Sequence, residues 1–395
     1  MDASKDHTEV GGCSDLRGDG RQDTEGRTAQ LLRAPQQAAP QRDMMVRIGK
    51  VFGTAKVDAI LLYNPSESPT SNFLYLTGFT SGIFERDALV VTQGGATLLT
   101  NPLEYETAKN QKPKGMDIET DGARTNTVLE SLRGKTVGVD GRVLPHNDYV
   151  ELERRTGAKF VDVSDSFTQA RVVKDAEEIA NMRKATEIIR AAIEESFNVM
   201  RVGMTEKELA AEVEYRIRQH GGDGTSFPSI VCFGKNTAEP HHMPDDTKLE
   251  PNSMVILDCG AKYSNYCSDV TRTVIFQPDP ATQKYRQMQE IIDTVKKAQD
   301  LAMAEIREGA TGTTAYLAAR DFINAAHGGK YNGAFTHGLS HQIGLEVHDV
   351  GSTLLRKPMK AGMVISNEPG IYVPGFGGAR FEDDVLVTAK GNEVL

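Results

Sequence analysis

Two aspartates in β-rich runs are the first residues of this sequence that could do chemistry together. Asp258 and Asp269 lie within residues 254–276, where two apolar runs flank a short polar turn, and this pattern predicts a hairpin. The midpoint of the pair falls between Tyr263 and Ser264, so a two-residue turn there would place the two side chains directly opposite each other. Opposed side chains on one face lie about 4.5–5.5 Å apart, and two carboxylates so placed repel unless a proton or a cation lies between them. The alternative is that one aspartate belongs to the turn and the other to the surface.

A second carboxylate pair occurs in residues 364–388, where two β-rich runs flank the turn PGFGG. Glu368 and Glu382 are 14 positions apart and centred on Gly375, so they too are expected to face each other. Two independent hairpins with paired carboxylates favour a shared role. Two divalent cations about 3.5–4 Å apart would fit between such groups.

Three histidines lie between the hairpins in THGLSHQIGLEVHDVG, namely His337, His341 and His348, and two glycines interrupt any helix there. Histidines at i and i+4 are often only a helix surface feature, which is the alternative here. As chemistry, the segment supplies an imidazole ligand and further imidazoles beside it. Four carboxylates and one imidazole suit manganese, iron, cobalt or zinc in a dinuclear hydrolytic site better than a structural zinc.

The order of these motifs resembles the "pita-bread" metallopeptidases, the group of methionine aminopeptidase, aminopeptidase P and prolidase. The resemblance rests on Asp-x10-Asp, HGLSHQIGLEVHD, SNEPGIY and RFEDD, and it spans residues 241–384. It implies two divalent metal ions, with manganese favoured and cobalt, zinc or iron as alternatives, held by five ligands: Asp258, Asp269, His341, Glu368 and Glu382. A metal-free creatinase-like amidinohydrolase and a non-catalytic binding protein share the fold. Both would have lost ligands, whereas all five are present here.

The resemblance also implies catalytic roles. Asp269 and Glu382 would bridge two metals that share a nucleophilic water, Asp258 would chelate one ion, and His341 and Glu368 would bind the other. Glu368 is also predicted to take the proton of the water and to pass it to the leaving nitrogen.

Other side chains are predicted to surround the ligands. His348 and His241 are expected to donate hydrogen bonds to the developing oxyanion, and His241 matches the family better than His242. The alternative for this His-His-Met-Pro loop is an exposed polar turn. His337 is expected to support His341 or the pocket wall.

Two arginines complete the predicted site. Arg380 fits the R-x-E pattern of the family and could orient a metal-bound carboxylate with two nitrogens. Arg356 is a weaker candidate for binding the C-terminal carboxylate of a substrate.

The implied reaction is hydrolysis of the amide bond that precedes proline, in Xaa-Pro dipeptides or at the N-terminus of longer peptides. Prolidase and aminopeptidase P differ in whether the proline must carry a free carboxylate. The short N-terminal domain favours prolidase and the HGLSH motif favours aminopeptidase P, so both activities stay open.

The elements that must position these residues form two predicted domains in 395 residues, of overall α/β (α+β) class. Residues 44–170 alternate strand and helix signals and resemble a creatinase-like N-terminal domain, which in that family closes the active-site rim and mediates dimer contacts, so a homodimer is expected. Among the predicted strands is NFLYLTGF.

Residues 171–395 are the predicted pita-bread catalytic domain, which opens with a helical run from Arg171. They contain a repeat: Arg201 and Arg307 each begin R-x-G-x-T, followed by an amphipathic helix and a closing HGG. The repeat predicts two pseudo-symmetric halves with the metal site between their sheets. Thr205 with Glu208 predicts a capping box at the first of these helices.

Composition limits the remaining possibilities. Residues 1–43 have almost no apolar residues and no periodicity, so we expect a disordered tail or a mis-assigned translation start. The net charge of −10 provides no basic surface for nucleic acid, and no apolar run is long enough for a membrane span. The cysteines form no CxxC pair, which predicts reduced thiols in a cytoplasmic protein.

Overall fold

A computed structural model of the chain describes residues 43–395, so the expectation for residues 1–43 lies outside the described residues except at Asp43. The α-helices in this range are α1 (Met44–Phe52), α2 (Ser71–Thr77), α3 (Tyr105–Gln111), α4 (Gly122–Glu130), α5 (His146–Thr156), α6 (Ser164–Arg171), α7 (Ala176–Asn198), α8 (Glu206–Gln219), α9 (Gln283–Glu305) and α10 (Gly312–Gly329). Short 3₁₀ helices cover Gly234–Ala238 and Ser352–Arg356.

The strands lie between these helices. They are β1 (Ala59–Tyr63), β2 (Ala88–Thr92), β3 (Gly95–Leu99), β4 (Met116–Glu119), β5 (Thr136–Val139), β6 (Lys159–Asp162), β7 (Gly224–Thr225), β8 (Ile230–Phe233), β9 (Ser253–Cys259), β10 (Ala261–Tyr263), β11 (Tyr266–Cys267), β12 (Val270–Phe276), β13 (Val364–Asn367), β14 (Gly370–Val373), β15 (Gly377–Arg380), β16 (Asp383–Thr388) and β17 (Gly391–Val394).

A mixed six-stranded sheet, in the order β4-β3-β2-β1-β5-β6, forms the centre of the N-terminal half. Its central strand β1 buries both of its faces, with Ile60 and Leu62 in one apolar core and Ala59 and Leu61 in another. Helices therefore cover the sheet on both sides, as near-continuous apolar strands require.

The structure corrects two secondary-structure predictions made from the sequence. The predicted strand NFLYLTGF is helix α2, which Gly78 ends in the left-handed conformation at φ 70°. A short segment buried on nearly all sides has the apolar pattern of a buried strand, so periodicity does not separate the two. The helical run expected from Arg171 begins at Ala176, because the Asp175 side chain caps the backbone N–H groups of Glu177 and Glu178.

The C-terminal half repeats a pair of helices followed by a sheet. Helices α7 and α8 precede the sheet β12-β9-β8, and helices α9 and α10 precede the sheet β13-β16-β17 with the ribbon β14-β15. The predicted capping box of Thr205 and Glu208 is present at the start of α8. This order of elements agrees with the pseudo-repeat expected from the sequence.

The turn of the first hairpin lies one residue later than predicted, which shifts the pairing of its strands by two residues. Its last pair is Tyr263 with Tyr266, so the turn consists of Ser264 and Asn265, which have φ of 49° and 72°. A two-residue hairpin turn of this kind needs positive φ at both positions, and asparagine tolerates it. Asp258 therefore pairs with Thr271, and the two aspartates are diagonal neighbours instead of direct partners.

The second hairpin keeps its predicted register. Asn367 pairs with Asp383 and Gly370 pairs with Arg380, and the same register between them sets Glu368 across from Glu382. Gly375 is the central residue of the turn, with φ of 77°.

Candidate metal centre

One cavity of about 510 Å³ collects the chemically active residues of both hairpins and of the segment between them. Its lining includes nine of the ten predicted site residues, all except Arg356: His241, Asp258, Asp269, His337, His341, His348, Glu368, Arg380 and Glu382. Residues up to 141 positions apart in the chain therefore meet at the place where the two sheets of the catalytic half converge.

The predicted ligands approach one another closely. One ligand atom each from Asp269, His341 and Glu382 lies within 4.8 Å of the others. The Nε2 atom of His341 is 3.5 Å from Oδ2 of Asp269 and 3.4 Å from Oε1 of Glu368. These separations are compatible with ligand atoms that surround a common ion.

The carboxylates in this cavity repel one another. Burial, together with the charge of Glu382, raises the pKa of Asp269 and of Glu368 well above their usual values. Burial and the charge of Asp258 raise the pKa of Glu382 to about 7. Buried carboxylates so close together need protons or cations between them.

Several of their oxygens also have no hydrogen-bond partner. Among the described residues, Oδ1 of Asp258, Oδ1 of Asp269 and Oε1 of Glu382 are buried and unpaired. Buried polar atoms are nearly always paired, so unpaired carboxylate oxygens that line one cavity require a partner of opposite charge. The residues therefore fit divalent cations.

Arg380 binds the cluster in a way that the sequence did not predict. Its Nη2 donates to Oδ2 of Asp258, while Nη1 donates to the Tyr372 hydroxyl at 2.7 Å and Nε donates to Oγ1 of Thr271 at 3.2 Å. The contact with a carboxylate is therefore not the two-nitrogen fork that we expected. The guanidinium instead links the first hairpin to the second.

His337 lies in the cavity wall. Its Nδ1 is 2.8 Å from the Gly338 carbonyl, and its Nε2 is 2.7 Å from the Tyr372 hydroxyl. Burial lowers the pKa of His337 to about 4 and raises that of Tyr372 to about 12, so the tyrosine donates to a neutral imidazole. Of the two expected roles, the pocket wall agrees with this geometry, and the hydrogen bond goes to Tyr372 and not to His341.

The other two histidines face the cavity from its mouth. The His348 ring lies at right angles to the His341 ring, with centroids 4.3 Å apart, and burial followed by the charge of His341 lowers its pKa. His241 lines the cavity, whereas His242 contacts Oε2 of Glu206 at 2.9 Å. The structure therefore places His241 at the cavity, and it places His242 against Glu206.

The group of Glu206, His242 and Asp245 also has the spacing of a metal site. The Glu206 carboxylate, however, already accepts from the backbone N–H groups of Phe233 and Asp245, from Asn236 and from His242. Four donors fill the lone-pair positions of a carboxylate, so this group is a hydrogen-bonded anchor for the loop that carries His241.

Sequence reasoning missed three hydroxyl groups around the site: those of Thr271 and Ser366, which contact predicted ligands, and that of Tyr372, which contacts His337 and Arg380. Thr271 donates to Oε2 of Glu382 at 2.7 Å, and Ser366 donates to Oε1 of Glu368 at 3.2 Å while it accepts from the backbone of His341. Thr271 lies two positions after Asp269, so strand alternation could have identified it. Tyr372 offered no such local signal.

Arg356 does not join the site. It is exposed at the end of the 3₁₀ helix Ser352–Arg356 and is absent from the cavity lining among the described residues. Three thiols, Cys232, Cys259 and Cys267, are free and buried, as expected for the cysteines within the described range.

Two family models match separate parts of the chain. Residues 180–389 match the model of metallopeptidase family M24, and residues 46–173 match the creatinase/prolidase N-terminal domain. An Xaa-Pro dipeptidase of Pyrococcus horikoshii is 33% identical over 86% of this chain and 92% of its own.

Solved structures have the same fold. The Xaa-Pro dipeptidase from Bacillus anthracis superposes with a TM-score of 0.78 at 30% identity, covering 89% of this chain and 97% of that one. An X-Pro aminopeptidase from Thermotoga maritima superposes with a TM-score of 0.79 at 30% identity, covering 87% and 97%. With a creatinase-like N-terminal domain and a pita-bread catalytic domain, the chain belongs to metallopeptidase family M24.

Proposed function

We propose that the protein hydrolyses the peptide bond that precedes proline, in Xaa-Pro dipeptides or at the N-terminus of longer peptides, with two divalent metal ions. The observation that carries the proposal is the group of buried carboxylates with unpaired oxygens beside His341 in a cavity open to substrate. The names of the relatives from Pyrococcus horikoshii, Bacillus anthracis and Thermotoga maritima support the choice of bond.

Five side chains would hold the metals: Asp258, Asp269, His341, Glu368 and Glu382. Bound divalent cations would polarise the substrate carbonyl and would lower the pKa of a bound water towards 7. A set dominated by carboxylates favours a hard cation, and we propose manganese.

Glu368 is the proposed proton carrier. Its carboxyl group accepts a hydrogen bond from Ser366 and lies 3.4 Å from His341, which fixes its orientation. As a carboxylate beside the bound water, it would take a proton from that water and pass it to the leaving nitrogen.

His348 and His241 are the proposed donors to the oxyanion that forms on the carbonyl oxygen. Both line the cavity and are exposed to it, which leaves their rings accessible to a substrate. Removal of one such donor typically costs about 10²–10³ in turnover.

Apolar side chains cover another part of the cavity wall and would contact the substrate on either side of the scissile bond. They are Phe227, Pro228, Ile230, Met243 and Val347. An apolar wall with a few convergent polar groups is typical of a small-peptide site, and a proline ring has no N–H group that would need a partner there.

We also propose a cytoplasmic homodimer. The three free, buried thiols fit a reducing compartment, and the N-terminal domain resembles one that mediates dimer contacts. Sedimentation of the purified protein would measure the assembly, and a monomer at enzyme-assay concentrations would contradict it.

The test compares hydrolysis of Met-Pro, of an Xaa-Pro-Xaa peptide and of the matched Met-Ala dipeptide by metal-loaded protein. We expect cleavage before proline and loss of activity with a chelator. The relative rates on the dipeptide and on the longer peptide measure which length the protein prefers. Glu368→Gln, which keeps the shape of the side chain, should depress turnover by several orders of magnitude. Failure to cleave either proline peptide with manganese, cobalt, zinc or iron would refute the proposal.

A further inference from the structure

A buried ionic cluster lies under the segment that connects His341 to His348. Its centre is Asp349, whose side chain is 2% exposed and accepts a hydrogen bond from Arg171 at Oδ1. Lys174 Nζ lies 3.3 Å from Oδ2 of the same carboxylate, and its side chain is 1% exposed. Neither Arg171 nor Lys174 belongs to the cavity lining, so the proposed reaction assigns no role to this cluster.

The segment 342–349 is folded around this carboxylate. The Asp349 backbone N–H donates to the Gln342 carbonyl at 2.8 Å, and Lys174 Nζ donates to Oε1 of Gln342 at 3.5 Å. A Cβ atom at Gly344 would lie 2.1 Å from Oδ2 of Asp349, so the backbone at 344 packs directly on the carboxylate. Both ends and the middle of the segment are therefore tied to Asp349.

The charges in the cluster keep Asp349 ionised. Burial alone would raise the pKa of Asp349, but the charges of Arg171 and Lys174 outweigh it and hold that pKa below its usual value. Burial lowers the pKa of Lys174 despite Asp349, whereas the pKa of Arg171 is raised. Arg171 is thus the partner whose charge is permanent.

Two imidazoles of the site, His341 and His348, lie next to the first and last residues of this segment. His341 immediately precedes Gln342, and His348 immediately precedes Asp349. Their perpendicular rings lie 4.3 Å apart, and His341 lies between Asp269 and Glu368. A displacement of Asp349 would therefore move a ligand and a substrate-facing group together.

Arg171 also connects the cluster to the N-terminal half. Its Nη1 donates to Oδ1 of Asn72 in α2 at 2.6 Å, and Asn72 donates to Asp140 at the end of β5. Asp140 in turn accepts from Ser164 at the start of α6. A continuous buried polar path thus runs from the N-terminal sheet to Asp349, the residue after His348.

We propose that Asp349, held by Arg171, is a positioning residue that sets the placement of His341 and His348, so that the N-terminal half supports the metal centre through this contact. The inference rests on the proposed metal site, but it does not depend on which peptide is cleaved.

The test measures metal binding without substrate. Asp349→Asn removes the charge at constant size, and Arg171→Lys keeps the charge but not the fork that reaches Asn72 and Asp349 together. Both variants should bind Mn²⁺ about 10–100-fold more weakly by calorimetry, as is typical when a group that orients a metal ligand is lost. The visible spectrum of bound Co²⁺ should also shift, because ligand geometry determines it.

Arg47→Lys is the matched control. Arg47 is as buried as Arg171 and lies in the same half, where it donates to the Tyr75 carbonyl at 2.7 Å and pairs with Asp175, but it has no hydrogen bond or ion pair with residues 341–349. It should lower the unfolding temperature and leave Mn²⁺ affinity and the Co²⁺ spectrum unchanged.

Two results would overturn the inference. One is wild-type affinity and spectrum in Arg171→Lys, which is chosen to fold even if Asp349→Asn does not. The other is an equal change in Arg47→Lys. A wild-type protein that binds metal but cleaves no proline peptide would refute the proposed function and leave this inference standing.

Discussion

The carboxyl groups of Asp269, Glu368 and Glu382 illustrate at the residue scale how this site differs from an ordinary ion-pair network. Asp269 and Glu382 are buried, the side chain of Glu368 beside them is partly exposed, each has a raised pKa, and the Arg380 guanidinium is bound to Asp258. The protein therefore holds negative charge in excess at one point. Such an arrangement is stable only when protons or metal ions neutralise it.

This arrangement predicts how the metal-free protein responds to pH. The raised folded pKa values mean that the folded protein binds more protons than the unfolded chain between about pH 4 and 7, so its stability should fall as pH rises through that range. Metal ions replace these protons, so stabilisation by Mn²⁺ should be larger at about pH 8 than at about pH 5.5. Thermal unfolding with a chelator or with Mn²⁺ measures both effects.

Glu382→Gln provides the control for this titration. It removes one group with a raised pKa, so the stability of the metal-free variant should fall less steeply with pH than that of the wild type. A metal-free wild type whose stability rises from about pH 5.5 to 8 would contradict the assignment.

His348 has a role that can be separated from metal binding. Its ring contacts His341 but is not among the closely spaced ligand atoms, so His348→Ala should retain both metals. Turnover should fall by an amount equivalent to about 2–4 kcal/mol if the ring contributes one donor to the oxyanion. Elemental analysis and kinetics on the same sample provide the measurement, and a lost metal would identify His348 as a ligand instead.

At the scale of elements, the second hairpin is positioned by contacts too close for a side chain. A Cβ atom at Gly378 in β15 would lie 2.6 Å from the carbonyl oxygens of both Ile371 and Thr237, and the Gly378 N–H donates to Oγ1 of Thr237 at 2.8 Å. The ribbon β14-β15 therefore lies directly on the 3₁₀ helix Gly234–Ala238. Arg380 follows two residues later, so this docking carries Arg380 to Asp258.

Gly378→Ala should separate these elements. Overpacking against backbone atoms costs about 1–3 kcal/mol, and the shift should also weaken Mn²⁺ binding because Arg380 moves from Asp258. Gly375→Ala in the turn of the same hairpin is the control, since a Cβ there meets nothing within 4 Å and only its φ of 77° is unfavourable. It should lower the unfolding temperature and leave metal affinity intact. Equal metal affinity in the two variants would argue against the docking role.

At the scale of the whole molecule, polar contacts tie the N-terminal half to the C-terminal half. Asn265, at the tip of the first hairpin, donates to the Phe79 carbonyl at 2.6 Å, and Arg171 donates both to Oδ1 of Asn72 at 2.6 Å and to Oδ1 of Asp349. The described part of the chain begins at Asp43, whose side chain accepts from the N–H groups of Met45 and Val46. Asp43 therefore caps helix α1.

Truncated chains should show that Asp43 is the first residue on which the stability of the fold depends. A chain in which the initiator methionine precedes Asp43 directly should keep the activity and stability of the full sequence. A chain that begins at Met44 loses the helix cap and should unfold about 1 kcal/mol more easily at unchanged turnover. Denaturant unfolding and peptide hydrolysis measure the two properties, and a large loss of either in the longer chain would show that residues 1–42 contribute to the fold.

The sequence by itself determined the parts of this protein that depend on local spacing. The equal distances of Glu368 and Glu382 from Gly375 predicted their opposed register, and Thr205 with Glu208 predicted a helix start, because strand alternation and capping act over a few residues. The order of motifs was sufficient to identify the family and the residues that line one cavity.

Only the tertiary structure decided the rest. The turn at Ser264 and Asn265 shifted the strand pairing of the first hairpin, and the buried segment Ser71–Thr77 formed helix α2 despite its strand-like apolar pattern. The partners of Arg380 and of Asp349 lie up to 178 positions away, and nothing near them in the chain specifies those contacts. Such contacts arise when packed elements bring charges into a dry interior, where each charge must find a partner, and that requirement is set by the whole fold and not by local spacing.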